Sequence, residues 1–133
     1  MEDEYEKYQK AVKEIETENN KYIDIFEKYL QTKGLTKKTI SNHILNIELF
    51  LNDFLAERYE VRFADSLEYL DEFFDFFNRK CMWSTPATVK STAASIKKFY
   101  NCMMENNIIS KEDFNDLKVM IKDNMIYWQS ECF

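Results

Sequence analysis

Leu30-Gln31-Thr32-Lys33-Gly34-Leu35-Thr36-Lys37-Lys38-Thr39-Ile40 contains the only glycine of the chain, and the reading of this stretch decides the fold. A glycine just past a helix end takes the left-handed conformation without a Cβ penalty, so Gly34 closes the helix before it. Thr36 then has the chemistry of an N-cap, and a second helix is expected over roughly residues 37–59. Further out there is a single proline, Pro86, in 133 residues. A β domain needs many tight turns built on Gly and Pro. Their scarcity predicts long helices joined by few loops. With 45% hydrophobic, 16% aromatic and 32% charged residues the composition is globular, and the length suits one domain.

Residues 2–31 read as one long helix. Tyr5, Tyr8, Val12, Ile15, Tyr22, Phe26 and Tyr29, with Asn19 in the gap, alternate at three and four residues as a heptad seam. From Tyr22 onward Ile23, Ile25 and Leu30 widen the stripe into a core-facing surface. The chain is therefore expected to divide into a helical N-terminal extension, residues 1–20, and a helical domain, residues 21–133. Two uses of the extension stand open: packing on the domain as a solvated helix, or a coiled-coil contact with another chain.

The second helix carries Ile40, Ile44, Ile47, Leu51, Phe54 and Leu55 on one side. A third is expected to start at Asp65, where Asp65-Ser66-Leu67-Glu68 has the form of a capping box. Thr85 is the expected cap of a fourth, with Pro86 at its first position, where a missing N–H costs nothing. The small stretch Thr92-Ala93-Ala94-Ser95 lets another helix approach closely, and Ser110 opens a last helix. The sum is an all-α fold: a compact bundle of four to five helices with a long N-terminal helix.

No run of about 18 apolar residues is present, so no membrane partner is expected. The acidic start, Met1-Glu2-Asp3-Glu4, is unlike a secretory signal, and three widely spaced cysteines (Cys81, Cys102, Cys132) suit a reducing compartment. Both features point to the cytoplasm. The cysteines lack C-x-x-C spacing, so no zinc site is expected and core thiols are the better reading. The carboxylate runs Glu14/Glu16/Glu18 and Glu68/Asp71/Glu72/Asp75 read as solvated helix faces rather than metal or acid–base sites. A single His, His43, on the exposed side of the second helix start, makes no catalytic dyad, and one glycine allows no phosphate-binding loop. The expectation is a non-enzyme that holds no cofactor and no metal.

The net charge of −6 conceals a sharp asymmetry. Residues 28–47 hold Lys28, Lys33, Lys37 and Lys38 and no acid. Residues 76–104 hold Arg79, Lys80, Lys90, Lys97 and Lys98 and no acid. Half of the 18 bases and none of the 24 acids lie in these windows, and each covers a helix start. A helix start directs unpaired N–H groups and partial positive charge outward, a seat for phosphate.

The Gly-Leu-Thr turn of Leu30–Ile40 resembles the first helix-turn-helix of the SAM-like core-binding domain of tyrosine recombinases, or phage integrases. Trp83-Ser84-Thr85-Pro86-Ala87-Thr88-Val89 and Ala94-Ser95-Ile96-Lys97-Lys98-Phe99-Tyr100 resemble the last long helix of that domain. Asn106-Asn107-Ile108-Ile109 stands where the family has a short exit. The likeness covers about Tyr22 to Ile109. It implies half of a C-shaped clamp on double-stranded DNA, made mostly of phosphate contacts and serving DNA integration and recombination. Carried across, the DNA-binding positions are Lys37, Lys38, Thr39, Asn42 and His43 on the second helix, and Thr88, Lys90, Ser91, Ser95 and Lys98 on the fourth. Recombinase chemistry needs a further domain with more bases, a second His and a tyrosine nucleophile, so a stand-alone, non-catalytic copy is expected.

Two functions follow from the sequence. One is a DNA-binding module contacting duplex backbone through the starts of helices two and four. The other is a protein-interaction module that kept the fold and lost DNA. Its partner would be a recombinase-type protein or a second copy, held through residues 5–29.

Overall fold

The computed structural model describes residues 2–132. It is all-α, with five helices and no strand among the described residues. The chain forms two compact units, Met1–Ser66 and Leu67–Phe133.

In the first unit, α1 spans Glu4–Thr32. The Asp3 carboxylate accepts from the Glu6 N–H at 2.8 Å, and Glu4 and Glu6 complement the positive helix start. The helix runs through Asn20 without a break and buries Val12, Ile15, Asn19, Ile23, Phe26 and Leu30. Residues 4–20 are continuous with the rest of α1. Val12 and Ile15 pack with Ala56, Tyr8 joins them, and the Tyr8 hydroxyl donates to the Glu57 carbonyl. The heptad stripe is used within its own unit. Only Tyr5, 67% exposed, stands outside it.

Gly34 (φ 74°) ends α1, and Thr36 caps α2 by accepting from the Thr39 N–H at 3.2 Å. α2 begins as an α-helix over Lys37–Glu48, widens into π-helical turns over Leu49–Ala56 and closes over Glu57–Tyr59. Phe50, Leu51, Phe54 and Leu55 are all fully buried there. A π turn bonds i to i+5 and disturbs the regular ladder. Asn19 of α1 meets that disturbance: its Nδ2 donates to the Leu51 carbonyl at 3.1 Å and to Asn52 Oδ1 at 2.8 Å. The polar residue in the apolar seam therefore has a backbone partner to satisfy. Glu60 (φ 53°) takes the left-handed position at the end of α2, where Val61 N–H returns to the Leu55 carbonyl at 2.9 Å. Arg62 holds Glu18 at 2.6 Å, and Phe63 sets its ring edge-on to Tyr22.

The expected capping box at Asp65 is absent. Two short 3-10 turns, Phe63–Asp65 and Leu67–Tyr69, occupy that stretch. Backbone bonds from Asp65 to Arg62 and from Ser66 to Phe63 (both 3.0 Å) close the first of these turns.

In the second unit the regular helix α3 starts only at Leu70 and spans Leu70–Lys80. It is followed by α4, Pro86–Glu105, and α5, Lys111–Ser130. α3 buries Phe73, Phe74 and Phe77, and Trp128 of α5 stacks on Phe74 with ring centroids 4.3 Å apart. The Trp128 indole N–H donates to Asp71 at 2.8 Å, and Asn78 Nδ2 donates to the Trp128 carbonyl at 2.9 Å. α4 packs most extensively on α5, burying Thr92, Ala93 and Ser95 of the small stretch and turning Ala94 outward. Asn107 (φ 60°) supplies the left-handed residue between α4 and α5, and Ser110 caps α5 at Asp113 N–H. Asparagine tolerates this conformation better than most non-glycine residues, so the turn forms without glycine.

Candidate nucleic-acid interface

Both basic windows contain a well-formed helix start, and each belongs to its own unit. At the start of α2, Lys37, Lys38, Thr39 and Asn42 are exposed. The Thr39 backbone N–H is spent on the Thr36 hydroxyl, which also donates to the Thr39 hydroxyl at 3.0 Å. His43, expected on the exposed side, is instead half-buried with its ring edge-on to Phe26 at 6.4 Å between centroids. The α2 residues following Lys38 on the outer face are Ser41, Asn42, Leu45 and Glu48. The basic stretch is therefore one turn long. A groove of about 340 Å³ beside it is lined by Lys37 together with Glu27 and Glu48, so acids absent from the sequence window return in space.

The start of α4 is held more firmly. Thr85 and Thr88 form a reciprocal capping box: Thr88 N–H to Thr85 Oγ1 at 3.1 Å, and Thr85 N–H to Thr88 Oγ1 at 2.8 Å. The Thr88 hydroxyl also donates to the Trp83 carbonyl at 2.9 Å. With this set of bonds it belongs to the cap, and phosphate would have to break it. Ser91 Oγ donates to the Thr88 carbonyl at 3.1 Å and remains exposed. Ser95, expected among the phosphate contacts, is instead fully buried and donates to the Ser91 carbonyl at 3.2 Å, so no phosphate can reach it. The helical period that turns Thr92, Ala93 and Ile96 inward necessarily draws Ser95 with them.

The residues left outside make a stripe that motif matching alone did not single out. Ala87, Lys90, Ser91, Ala94, Lys97 and Lys98 are all exposed, and they recur at three- and four-residue steps along one side of α4. Lys97 belongs to this stripe as fully as Lys90 and Lys98. The signal for it was the inward period of Val89, Ala93, Ile96 and Tyr100, whose complement is the outer face. Among the described residues, none of Lys37, Lys38, Lys90, Lys97 and Lys98 has a carboxylate within 4.0 Å. Arg79, in the same window, is paired with Asp75 at 2.7 Å.

Other reactive groups lie elsewhere. Cys81 and Cys102 are buried and Cys132 is half-buried, all as free thiols. Burial, with the charge of Glu105, pushes the Cys102 thiol up to about 11, against a hydrogen bond from Asn106 that lowers it, so it stays protonated at neutral pH. Among the described residues no three His, Cys, Asp or Glu side chains converge as metal ligands. Nor, among the described residues, is any helix long and apolar enough to cross a membrane. No family model, curated protein or solved structure matches this chain.

Proposed function

We infer that the chain is a non-catalytic module that contacts the sugar–phosphate backbone of duplex DNA, as its resemblance to the tyrosine recombinase core-binding domain implies. The observation that carries this reading is the outer stripe of α4. Three lysines without acidic partners alternate with alanines and a serine, small residues that let a polyanion approach the helix closely. The capped start of α2, with Lys37, Lys38, Thr39 and Asn42, is a second and smaller contact. Phosphate neutralisation of this kind fixes position without reading sequence. The net charge of −6 opposes it, so binding is weak and strongly dependent on salt.

Fluorescence anisotropy on a labelled duplex of about 30 base pairs tests the reading. Log affinity is expected to fall linearly with log salt, at a slope near −0.9 for each phosphate neutralised. Lys90, Lys97 and Lys98 changed together to Glu abolish binding at low salt, and Lys37/Lys38 changed to Glu weaken it less. Absence of binding by the parent at low salt, or indifference to the α4 triple change, overturns the reading.

A further inference from the structure

The outer face of α5 exposes two large apolar side chains. Val119 and Ile126 are 59% and 83% exposed, although they lie one heptad apart on the same side of the helix. An isolated exposed apolar side chain is ordinary, but two in register with segregated charges at their sides are not. Lys111 and Lys118 occupy one flank of this stripe, and Asp116 and Asp123 occupy the other.

This charge arrangement does not serve α5 itself. Opposite charges stabilise a helix when they stand three or four residues apart, and like charges there repel. The four-residue neighbours on this face are Glu112 with Asp116 and Lys118 with Lys122, both like-charged. None of these groups forms an ion pair among the described residues, and the Lys118 ammonium rests over the Phe114 ring at 4.8 Å.

A second, parallel copy of the same helix resolves the pattern. In a parallel two-stranded pair the flank on one side of the seam faces the opposite flank of the partner helix. With Val119 and Ile126 on the seam, Lys111 then faces Asp116 of the second copy and Lys118 faces its Asp123. Twofold symmetry repeats both pairs. An antiparallel pair would set lysines against lysines and aspartates against aspartates. Lys122 falls on the seam between the two apolar residues, where its stem can lie along them while its ammonium reaches water.

We propose that the outer face of α5 is a self-association surface, on which two copies of this chain pair in parallel through Val119 and Ile126 with Lys111–Asp116 and Lys118–Asp123 bridges between them. In the same register the seam also carries Glu112, Asn115, Lys122 and Gln129, so the dimer is weak and reversible. It is distinct from the stripe of α1, which is used inside its own unit.

Sedimentation equilibrium of the full chain from about 10 μM to about 1 mM tests this. The parent is expected to approach twice its 16.1 kDa mass at the upper end. Ile126→Asp holds it monomeric throughout, with its helical circular dichroism unchanged because the side chain is exposed. Lys118→Asp weakens association by about tenfold or more, and adding Asp123→Lys to it restores the parent value, which an uncharged contact would not do. A parent that stays monomeric at the highest concentration overturns the proposal. So does a dimer that survives Ile126→Asp, or a charge-swapped double variant as weak as the single one.

Discussion

α1 and α5 both present apolar residues at heptad spacing, and they put them to opposite uses. The α1 stripe meets α2 and is buried: Phe26 and Leu30 are inaccessible, and Val12 and Ile15 are nearly so. α5 has two apolar sides. Phe114, Leu117 and Trp128 face the core, while Val119 and Ile126 face solvent. The difference teaches that a heptad pattern establishes only that a helix has something to pair with. Whether the partner comes from the same chain depends on which neighbouring helix can reach it. In α1 the partner is α2, and Asn19 marks where the two meet at the π-helical turns.

The largest effect should separate the two stripes outright. Phe26→Ala removes a fully buried ring and is expected to cost about 3–5 kcal/mol, whereas Ile126→Ala should stay within about 0.5 kcal/mol. Urea unfolding followed by circular dichroism reads both. A comparable loss at the two sites would mean that the outer face of α5 is covered within the monomer.

A middle-sized effect sharpens the account of α1. Asn19→Ala deletes the hydrogen bonds to the Leu51 carbonyl and Asn52 Oδ1, an expected loss of about 1–3 kcal/mol. Hydrogen exchange should rise first over residues 49–56. If exchange there is unchanged, the π-helical turns do not depend on the α1 seam.

The smallest effect concerns the charges beside that seam. Partial burial raises the Asp53 carboxyl above its ordinary 3.8; burial, then Asp53, then Glu16 raise Glu57 above 4.5. An acid whose folded pKa is raised favours the fold when protonated, and that contribution is lost as pH rises through the raised value. At neutral pH the ionised pair therefore works against the fold. Asp53→Asn should raise the melting temperature modestly at pH 7, with the gain shrinking as pH falls and vanishing below about pH 4. A gain that persists in acid would assign the effect to packing rather than charge.

Much of the fold was legible in the residues themselves. Gly34, the Thr36 and Thr85 caps, Pro86 and Ser110 each act at a range of a few residues, and each stands where local chemistry places it. The start of α3 was not legible, because two 3-10 turns over residues 63–69 come before it and the regular helix begins only at Leu70. Of the candidate contacts, the lysines and Asn42 lie outside as their helical phase requires. Ser95 and His43 do not, since motif resemblance carries no phase of its own.

Local chemistry thus determined the all-α class, the helix ends and the segregation of charge, since propensity, capping and period all act within one or two turns. Only the tertiary structure decided which stripe became core, where α2 widens and which acids return beside Lys37. Those outcomes depend on residues far apart in sequence, such as Asn19 with Leu51 or Glu27 with Lys37, whose meeting no local spacing encodes.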